Sequence, residues 1–145
     1  MRAAVLKEVG KPLVIEEVEI AQPQAREVLI KTVATGLCHS DLNFMEGKYP
    51  HPVPAIPGHE AAGIVEAVGD EVRSVKVGDA VVTCLSAHCG HCEFCVTGRL
   101  ALCMGNDTRR DKNSPPRITY PNGDPCLQML NLSSFAEKML IDESA

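Results

Sequence analysis

The sequence predicts a mainly β, barrel-like fold of short strands, with one short helix and long loops. Several short segments are apolar or alternate apolar with polar residues, as strands do. The chain of 145 residues has no Trp, two Tyr and three Phe, so its core must be built mainly from Val, Ile, Leu and Ala. Many small β-branched side chains favour sheet over a helical bundle. A chain of this length is sufficient for one domain.

The first half of the chain supplies most of the predicted elements. Segments 1–6, 13–20 and 27–34 are predicted strands, and 80–84 is predicted to be a buried strand. Segment 61–68 is apolar around Glu66, and 72–77 alternates apolar and polar residues.

One helix is predicted at residues 39–45, with Ser40 or Asp41 as its cap and Gly47 as its stop. Four prolines between Tyr49 and Pro57 predict an extended loop after it.

The segment 104–131 is polar and rich in turn residues, so it is predicted to be a long surface excursion before a closing strand at 135–141. Its basic residues alternate with aspartates, which indicates a solvated loop rather than an anion site. The basic residues are Arg109, Arg110 and Lys112, and the aspartates are Asp107 and Asp111.

Charge and cysteine content narrow the classes of function. The net charge of −5 disfavours nucleic acid or an anionic membrane surface as a partner. No apolar run approaches the ~18 residues that a membrane span needs, and Lys7 and Glu8 interrupt the N-terminus before a signal core forms. Seven cysteines without an export signal predict metal binding or catalysis in the reducing cytoplasm rather than a disulfide framework.

Four of the cysteines lie within fifteen residues, with the spacing C-x2-C-x2-C-x7-C. They are Cys89, Cys92, Cys95 and Cys103. Four thiolates can fill the tetrahedral shell of one zinc ion and leave no open position, which makes the site structural. His88 and His91 could compete as ligands, although four thiolates already suffice. An iron–sulfur cluster is the alternative, but a ferredoxin has three residues before its last cysteine and a proline after it.

Cys38 and His59 are candidates for a second metal site. Thiolate and imidazole from separate segments are typical ligands of a catalytic zinc, which keeps one coordination position open. Each residue also has a simpler interpretation, because a lone buried Cys is usually a small apolar group and a lone His is usually a hydrogen-bonding group. Cys84 is most simply a buried strand residue and Cys126 a loop thiol.

The order of several motifs resembles the zinc-dependent medium-chain alcohol dehydrogenases. These motifs are Gly36-Leu37-Cys38-His39-Ser40-Asp41, then Pro57-Gly58-His59-Glu60, then Val77-Gly78-Asp79, then the four-cysteine segment. The resemblance covers essentially the whole chain. It implies one GroES-like catalytic domain over residues 1–145, with a structural-zinc lobe at about 86–131.

The resemblance also implies roles for individual residues. Cys38 and His59 match the first two catalytic zinc ligands, and the four clustered cysteines match the structural zinc ligands. The reaction interconverts alcohols with aldehydes or ketones, using zinc as a Lewis acid that lowers the pKa of the alcohol. Hydride passes to a nicotinamide cofactor, because no side chain can hold it. NAD rather than NADP is expected from the majority of the family.

Five further residues match functional positions of the family. Asp41 orients the imidazole ligand, and Glu60 can approach the metal when water or substrate exchanges. Ser40 takes the proton from the alcohol, and His39 faces the cofactor pyrophosphate. Leu85 falls in the substrate pocket.

Two departures limit what the resemblance implies. The position of the terminal relay histidine holds Asn43, so the proton must leave through water, a cofactor hydroxyl or another base, for which His51 is a candidate. The third catalytic ligand and the Gly-rich dinucleotide fingerprint are not in the sequence. We therefore expect a dinucleotide-binding domain to be absent from this chain, and the isolated chain to be inactive.

Three interpretations of function remain open. The first is the catalytic domain of a zinc- and NAD-dependent alcohol dehydrogenase, a homo-oligomer when full length, with a small alcohol or aldehyde as substrate. The second is a non-enzymatic zinc-binding module that has lost its cofactor domain. The third is a dehydrogenase that acts on thiol adducts of aldehydes. An enzyme is favoured by the joint presence of five residues, because a structural module needs only the four-cysteine lobe. They are Cys38, Ser40, Asp41, His59 and Glu60.

Overall fold

Short strands form most of the regular structure in the computed structural model, which describes residues 1–105, 107–111 and 113–145. In chain order the strands are β1 (Arg2–Val5), β2 (Val14–Glu17), β3 (Glu19–Ile20), β4 (Glu27–Thr35), β5 (Ala55–Ile56), β6 (Ala61–Val68), β7 (Ala80–Val82), β8 (Ile118–Thr119), β9 (Leu127–Gln128) and β10 (Lys138–Asp142). The α-helices are α1 (His39–Met45) and α2 (Glu93–Val96), and 3-10 turns lie at Leu100–Leu102 and Met129–Asn131. The predicted mainly β architecture is confirmed.

A four-stranded antiparallel sheet in the order β10-β4-β6-β7 is the centre of the fold. Its longest pairing joins β4 to β6, from Val28 opposite Val68 to Thr35 opposite Ala61. This pairing brings the end of β4 beside the start of β6, and both catalytic candidates lie just outside these two ends.

Three two-stranded sheets surround the central one. They pair β1 with β2, β3 with β8, and β5 with β9, the last pair in parallel. Single bridges from Leu6 to Ala55 and from Ala3 to Ala136 connect the N-terminal strand to distant segments. These long-range connections produce the barrel-like arrangement that short, separated strands predict.

The core is aliphatic, as the low aromatic content requires. One cluster beneath the central sheet contains Val28, Ile30, Val65, Met139 and Ile141, all buried. These residues come from β4, β6 and β10, so each strand contributes an inward-facing row. Burying each such side chain contributes roughly 1.5–3 kcal/mol before the entropy cost of ordering it.

Helix α1 has the bounds that the sequence predicts, but its cap differs. Cys38 is the N-cap residue. Its backbone N–H donates at 3.0 Å to Oδ2 of Asp41, which lies in the first turn of the helix. Asp41 thus accepts the N–H of the N-cap residue from the third helical position, and it is not itself the cap that precedes the helix. Gly47, with φ of +77°, ends the helix as predicted, because its left-handed conformation favours glycine.

The strand predicted at residues 80–84 forms over Ala80–Val82, but the prediction that it is buried is wrong. Strand β7 ends at Val82, which is 81% exposed, and Cys84 lies beyond it and is also exposed. The physical reason is that β7 is an edge strand: within the described residues, its one strand partner is β6. Segment 72–77 forms no strand, although Val72 and Val75 still pack against the core.

The prediction of a surface excursion at 104–131 is wrong in its second half. Residues 118–119 and 127–128 pair with β3 and β5, and Ile118 and Met129 are buried. Cys126, predicted as a loop thiol, is only 2% exposed and belongs to a core cluster with Ile56 and Ile118. This segment is buried because it pairs with β3 and β5, which lie far upstream in the sequence. The residues of the segment itself do not indicate this pairing.

Two arginines of this segment are also buried, around Glu27 at the start of β4. The Glu27 carboxylate accepts N–H groups from Arg110, at 2.9 and 2.7 Å, and from Arg117 Nε at 2.7 Å. Arg110 is therefore not a residue of a solvated loop, although Arg109 is exposed. Lys112, predicted to lie in the same solvated loop, is outside the described residues.

The ion cluster sets the titration of Glu27. Burial alone would raise the pKa of this carboxyl, but hydrogen bonds from the Arg110 and Arg117 guanidinium groups outweigh it and lower the pKa. A group with a lowered pKa stabilises the fold above its unfolded pKa of about 4.3, and this stability is lost as pH falls through the folded value.

No helix in the described parts of the chain combines the length and the apolar character needed to cross a membrane.

We expect Glu27→Gln to lower the free energy of unfolding at pH 7 by about 3 kcal/mol, because two buried guanidinium groups lose their anion. The difference from the parent protein should shrink as pH falls below about 4.3, where the unfolded carboxyl becomes protonated, and further as pH falls through the lowered pKa of the folded state. Urea unfolding at several pH values measures both effects. Glu71→Gln, at an exposed position, is the matched control. A difference that stays constant across pH would contradict the assigned role of the charge.

Candidate metal centres

The central sheet brings Cys38 and His59 together from two separate segments. Cys38 follows the end of β4 by three residues, and His59 precedes the start of β6 by two. Because Thr35 and Ala61 are paired across these strands, the two segments leave the sheet side by side. The Cys38 sulfur, a His59 ring nitrogen and a Glu60 carboxylate oxygen lie within 4.8 Å of one another. The two ligands that the resemblance implies therefore meet, with a carboxylate beside them.

Asp41 connects both segments. Its carboxylate is 4% exposed and accepts three N–H groups: from Cys38 N at 3.0 Å, Gly58 N at 3.2 Å and His59 Nδ1 at 3.1 Å. An ionised carboxylate can only accept, so His59 Nδ1 carries the proton. This leaves the lone pair of His59 Nε2 available for a metal, which is the arrangement in which a carboxylate orients a liganding imidazole.

The Ser40 hydroxyl lies between the two candidate ligands. Its Oγ is 3.1 Å from Cys38 Sγ and 3.2 Å from His59 Nε2. A hydroxyl both donates and accepts hydrogen bonds. Ser40 can therefore exchange a proton with a group bound in front of these two ligands.

Glu60 is held through its backbone while its side chain remains exposed. Its carbonyl oxygen accepts the Gly36 N–H at 2.8 Å and the Thr35 hydroxyl at 2.8 Å. A β-carbon at Gly36 would collide with the Glu60 side chain. Gly36 thus provides the space in which this carboxylate lies beside Cys38.

The loop that carries His59 is fixed from its other side by the segment before β10. Ser134 N donates to the Gly58 carbonyl at 3.0 Å, and Phe135 N donates to the Pro57 carbonyl at 3.1 Å. Gly58 has φ of +91°, and a β-carbon there would overlap Ser134 and Phe135. Sequence reasoning did not single out Ser134 or Thr35, and it named Gly36 only as part of a motif, because nothing local indicates these contacts.

The donor set suits zinc. Thiolate, imidazole and carboxylate are the side chains that bind this ion, and a catalytic site needs three protein donors and one open position. Cys38, His59 and Glu60 supply one donor of each type from within one small volume. These residues can therefore hold a metal ion.

The four clustered cysteines form a second candidate centre. Their sulfur atoms lie within 4.8 Å of one another, with Cys89 and Cys95 buried and the other two partly exposed. Backbone N–H groups point at the sulfurs: Cys89 N lies 3.3 Å and Gly105 N 3.4 Å from Cys103 Sγ. A β-carbon at Gly105 would collide with the Cys89 sulfur. The loop is shaped around these sulfurs, so the cluster can hold a structural metal.

Backbone donors also control the acidity of these thiols. N–H groups of Cys95 and Met104 lower the pKa of the Cys92 thiol to about 6. N–H groups of Cys89 and Gly105 lower the pKa of Cys103 as well, whereas burial raises the pKa of Cys95 to about 12. The sulfurs of Cys92 and Cys103 are thus stabilised as thiolates, and a metal must displace the proton from Cys95.

Comparison with known proteins identifies the family. A model described as the alcohol dehydrogenase GroES-like domain matches residues 24–145. The chain belongs to this family. The match confirms the resemblance to zinc-dependent alcohol dehydrogenases that the motif order indicates.

Relatives of this GroES-like domain are longer proteins. The S-(hydroxymethyl)glutathione dehydrogenase of Escherichia coli O1:K1 / APEC is 42% identical over 147 aligned residues, covering 98% of this chain and 40% of the relative. The same identity and coverage hold for the protein of that name from E. coli O139:H28 (strain E24377A / ETEC). The chain therefore spans about two fifths of the length of these curated relatives.

Solved structures confirm the fold. An alcohol dehydrogenase zinc-binding domain protein from Burkholderia ambifaria superposes with a TM-score of 0.85 at 39% identity, over 98% of this chain and 40% of that one. Benzyl alcohol dehydrogenase from Acinetobacter calcoaceticus superposes with a TM-score of 0.82 at 38% identity, over 98% and 39% of the two chains.

Two further predicted site residues of the GroES-like domain are exposed, His39 and Leu85. His39 is exposed at the start of α1. Leu85 is 49% exposed, and it follows Thr83, whose hydroxyl accepts the Ala61 N–H beside His59. Their roles toward cofactor and substrate stay predictions.

Residues outside the proposed ligand sets have other partners. His51 packs edge-on against Phe44, and its Nδ1 lies 2.7 Å from the Pro52 carbonyl oxygen. His91 contacts Asp107 at the exposed rim of the cysteine cluster, where both can join Cys89 as a further donor group. His88 donates its backbone N–H to Ser144. In the described residues, Cys84 and Cys126 belong to no such group.

We expect Asp41→Asn to weaken metal binding at the Cys38 and His59 centre by 10- to 100-fold, because the imidazole loses the carboxylate that orients it. Binding at the four cysteines should not change. Titration with Co²⁺, whose absorption distinguishes a four-thiolate site from a mixed site, measures both. Asp70→Asn, at an exposed position, is the control. Equal weakening at both centres would indicate a general loss of folding.

Proposed function

We propose that this chain is the catalytic domain of a zinc-dependent, NAD-linked alcohol dehydrogenase that interconverts alcohols with aldehydes or ketones. The observation that carries this proposal is the Asp41 carboxylate, which binds Cys38 N–H and His59 Nδ1 in one buried network. A module that only needed a structural metal would not require this network, because the four-cysteine lobe is independent of it.

Cys38, His59 and Glu60 are the residues proposed to hold the catalytic zinc. When bound there, zinc would supply Lewis acidity that lowers the pKa of an alcohol. Asp41 keeps the proton on His59 Nδ1, so Nε2 stays an acceptor. Glu60 is exposed and close to both ligands, which supports a role as the donor that leaves or returns when water or substrate exchanges.

Ser40 is proposed to move the proton. Its hydroxyl, placed between Cys38 Sγ and His59 Nε2, accepts the alcohol proton and releases its own. Asn43 cannot accept a proton at neutral pH. The proton therefore passes from Ser40 to water, a cofactor hydroxyl or another base.

The remaining features of the proposal rest on family membership. Hydride transfer requires a nicotinamide cofactor, and we assign NAD, with His39 facing its pyrophosphate and Leu85 facing the substrate. The dinucleotide-binding domain is not among these 145 residues, so the isolated chain should not turn over. We also propose that the full-length enzyme is a cytoplasmic homo-oligomer, since seven free thiols suit a reducing compartment.

A thiol-adduct dehydrogenase is the second candidate. It is favoured by the curated relatives at 42% identity, which are named S-(hydroxymethyl)glutathione dehydrogenase. The solved structure of a benzyl alcohol dehydrogenase at 38% identity favours the first candidate. These identities are too similar to decide the substrate, so assays with both kinds of substrate are needed.

We predict one tightly held zinc per chain, on the four cysteines, and a second that is weaker and substoichiometric. Cys38→Ala should remove only the weak zinc. Cys95→Ala should remove the tight zinc and unfold at least its own lobe, because structural zinc contributes on the order of 10–16 kcal/mol of apparent binding free energy. Metal analysis after dialysis, with circular dichroism, measures these results. Two tight zinc ions in the parent chain would contradict this prediction and point to Glu60, Cys84 or water as the group that completes the first site.

In the full-length enzyme, we expect NAD-dependent oxidation of benzyl alcohol and a drop in kcat of about 100-fold on Ser40→Ala, from loss of proton transfer. Ser114→Ala, distant in sequence from the site, is the control. NADP and S-(hydroxymethyl)glutathione are tested in parallel. A preference for the glutathione adduct selects the second candidate, and no oxidation of either substrate refutes an enzymatic function.

A further inference from the structure

A cavity of about 290 Å³ lies apart from both metal centres. None of the described residues that line it is acidic, and the lining includes three arginines and a histidine: Arg109, Arg110, Arg117 and His51. No member of either proposed zinc ligand set lines it. In a chain of net charge −5, this is a local concentration of positive charge.

The arginines of the cavity wall carry more positive charge than the nearby Glu27 carboxylate neutralises. Arg110 and Arg117 share one anion, Glu27. Arg110 uses all five of its N–H donors on protein acceptors: the two Glu27 oxygens and the carbonyls of Gln22, Pro115 and Pro116. Arg110 therefore fixes the geometry but has no donor left for a ligand.

Arg117 does have donors left. Its Nε binds Glu27 and its Nη2 binds the Thr108 carbonyl at 3.0 Å. Among the described residues no acceptor meets its Nη1, although the side chain is only 7% exposed. Arg117 Nη1 is not among the buried side-chain atoms that lack a partner in the described residues, so its N–H groups are open to solvent and can donate to an anion.

Arg109 adds a second cation to the same wall. It is exposed, and in the described part of the chain it makes no ion pair or hydrogen bond. It also borders a neighbouring cleft that contains Asp107, Asp111 and Asp142. Arg110 and Arg117 line that cleft as well, so the three arginines border both spaces. Of the two, the cavity is the one with no acidic residue in its described lining.

The rest of the lining is largely apolar, from Ile118, Leu127 and Pro116. A bare inorganic anion would leave this surface in contact with water. A ligand with a carboxylate at one end and a small hydrocarbon body at the other satisfies both parts, and the cavity volume is close to the lower limit for small-molecule sites.

We propose that this cavity binds a small organic carboxylate, with its charged end on Arg117 and Arg109 and its hydrocarbon body on Ile118 and Leu127. The planar guanidinium fork matches carboxylate geometry. The proposed zinc ligands and Ser40 do not line this cavity, so the site does not depend on the proposed dehydrogenase function. His51, a candidate relay base, does lie in its wall.

Benzoate is the probe, and the zinc-loaded full chain is the protein. Isothermal titration gives the affinity, and methyl NMR signals of Ile118 and Leu127 report the place of binding. We expect saturable binding with a dissociation constant on the order of 1 mM. Benzamide, the neutral analogue, should bind at least tenfold more weakly. Arg109→Gln should weaken benzoate about tenfold, as expected for loss of a charge-assisted hydrogen bond.

The controls separate binding in this cavity from binding elsewhere on the chain. Arg99→Gln changes an exposed arginine of the cysteine lobe that is not in the cavity lining and should leave binding unchanged. Circular dichroism checks that each variant folds. Benzoate binding that Arg109→Gln does not weaken, or that leaves the Ile118 and Leu127 signals unmoved, would overturn the proposal. Inorganic phosphate binding as tightly as benzoate would overturn the assignment to organic carboxylates.

Discussion

The Asp41 carboxylate is the interaction on which the first metal centre depends. A buried charge is costly unless hydrogen bonds compensate it, and Asp41 obtains them from Cys38, Gly58 and His59. Those donors lie on both segments that carry the candidate ligands. The electrostatic requirement of one carboxylate therefore determines the distance between thiol and imidazole, the start of α1 and the tautomer of His59. The ligand positions follow from satisfying Asp41 before any metal binds.

Glu27 has a similar function at the other side of the fold. Its carboxylate attaches Arg110 and Arg117 to the first residue of β4, so the segment after the cysteine lobe is anchored to the central sheet. Two guanidinium groups around one carboxylate leave positive charge at the adjacent cavity. Structural stability and the proposed anion site thus depend on the same ion cluster.

Sequence patterns predicted the elements that depend on local periodicity. The bounds of α1 and the strand predicted at 27–34 are confirmed by the structure. Burial was predicted less well. Cys84 is exposed because β7 is an edge strand, and Cys126 is buried because β5 and β9 pair across about 70 residues of chain. Neither the edge position of β7 nor the pairing of β5 with β9 can be inferred from the residues next to these cysteines.

The sequence by itself determined the chemistry that is available and where ligands lie close along the chain. The C-x2-C-x2-C-x7-C spacing holds four thiolates within one short loop, and local geometry suffices to bring them together. The tertiary structure decided everything that requires distant segments to meet. It placed Cys38 beside His59 and Glu60, gave Asp41 its three donors and turned Arg110 and Arg117 inward to Glu27. The reason is that these contacts are selected by sheet pairing and by compensation of buried charge, which act between residues remote in sequence.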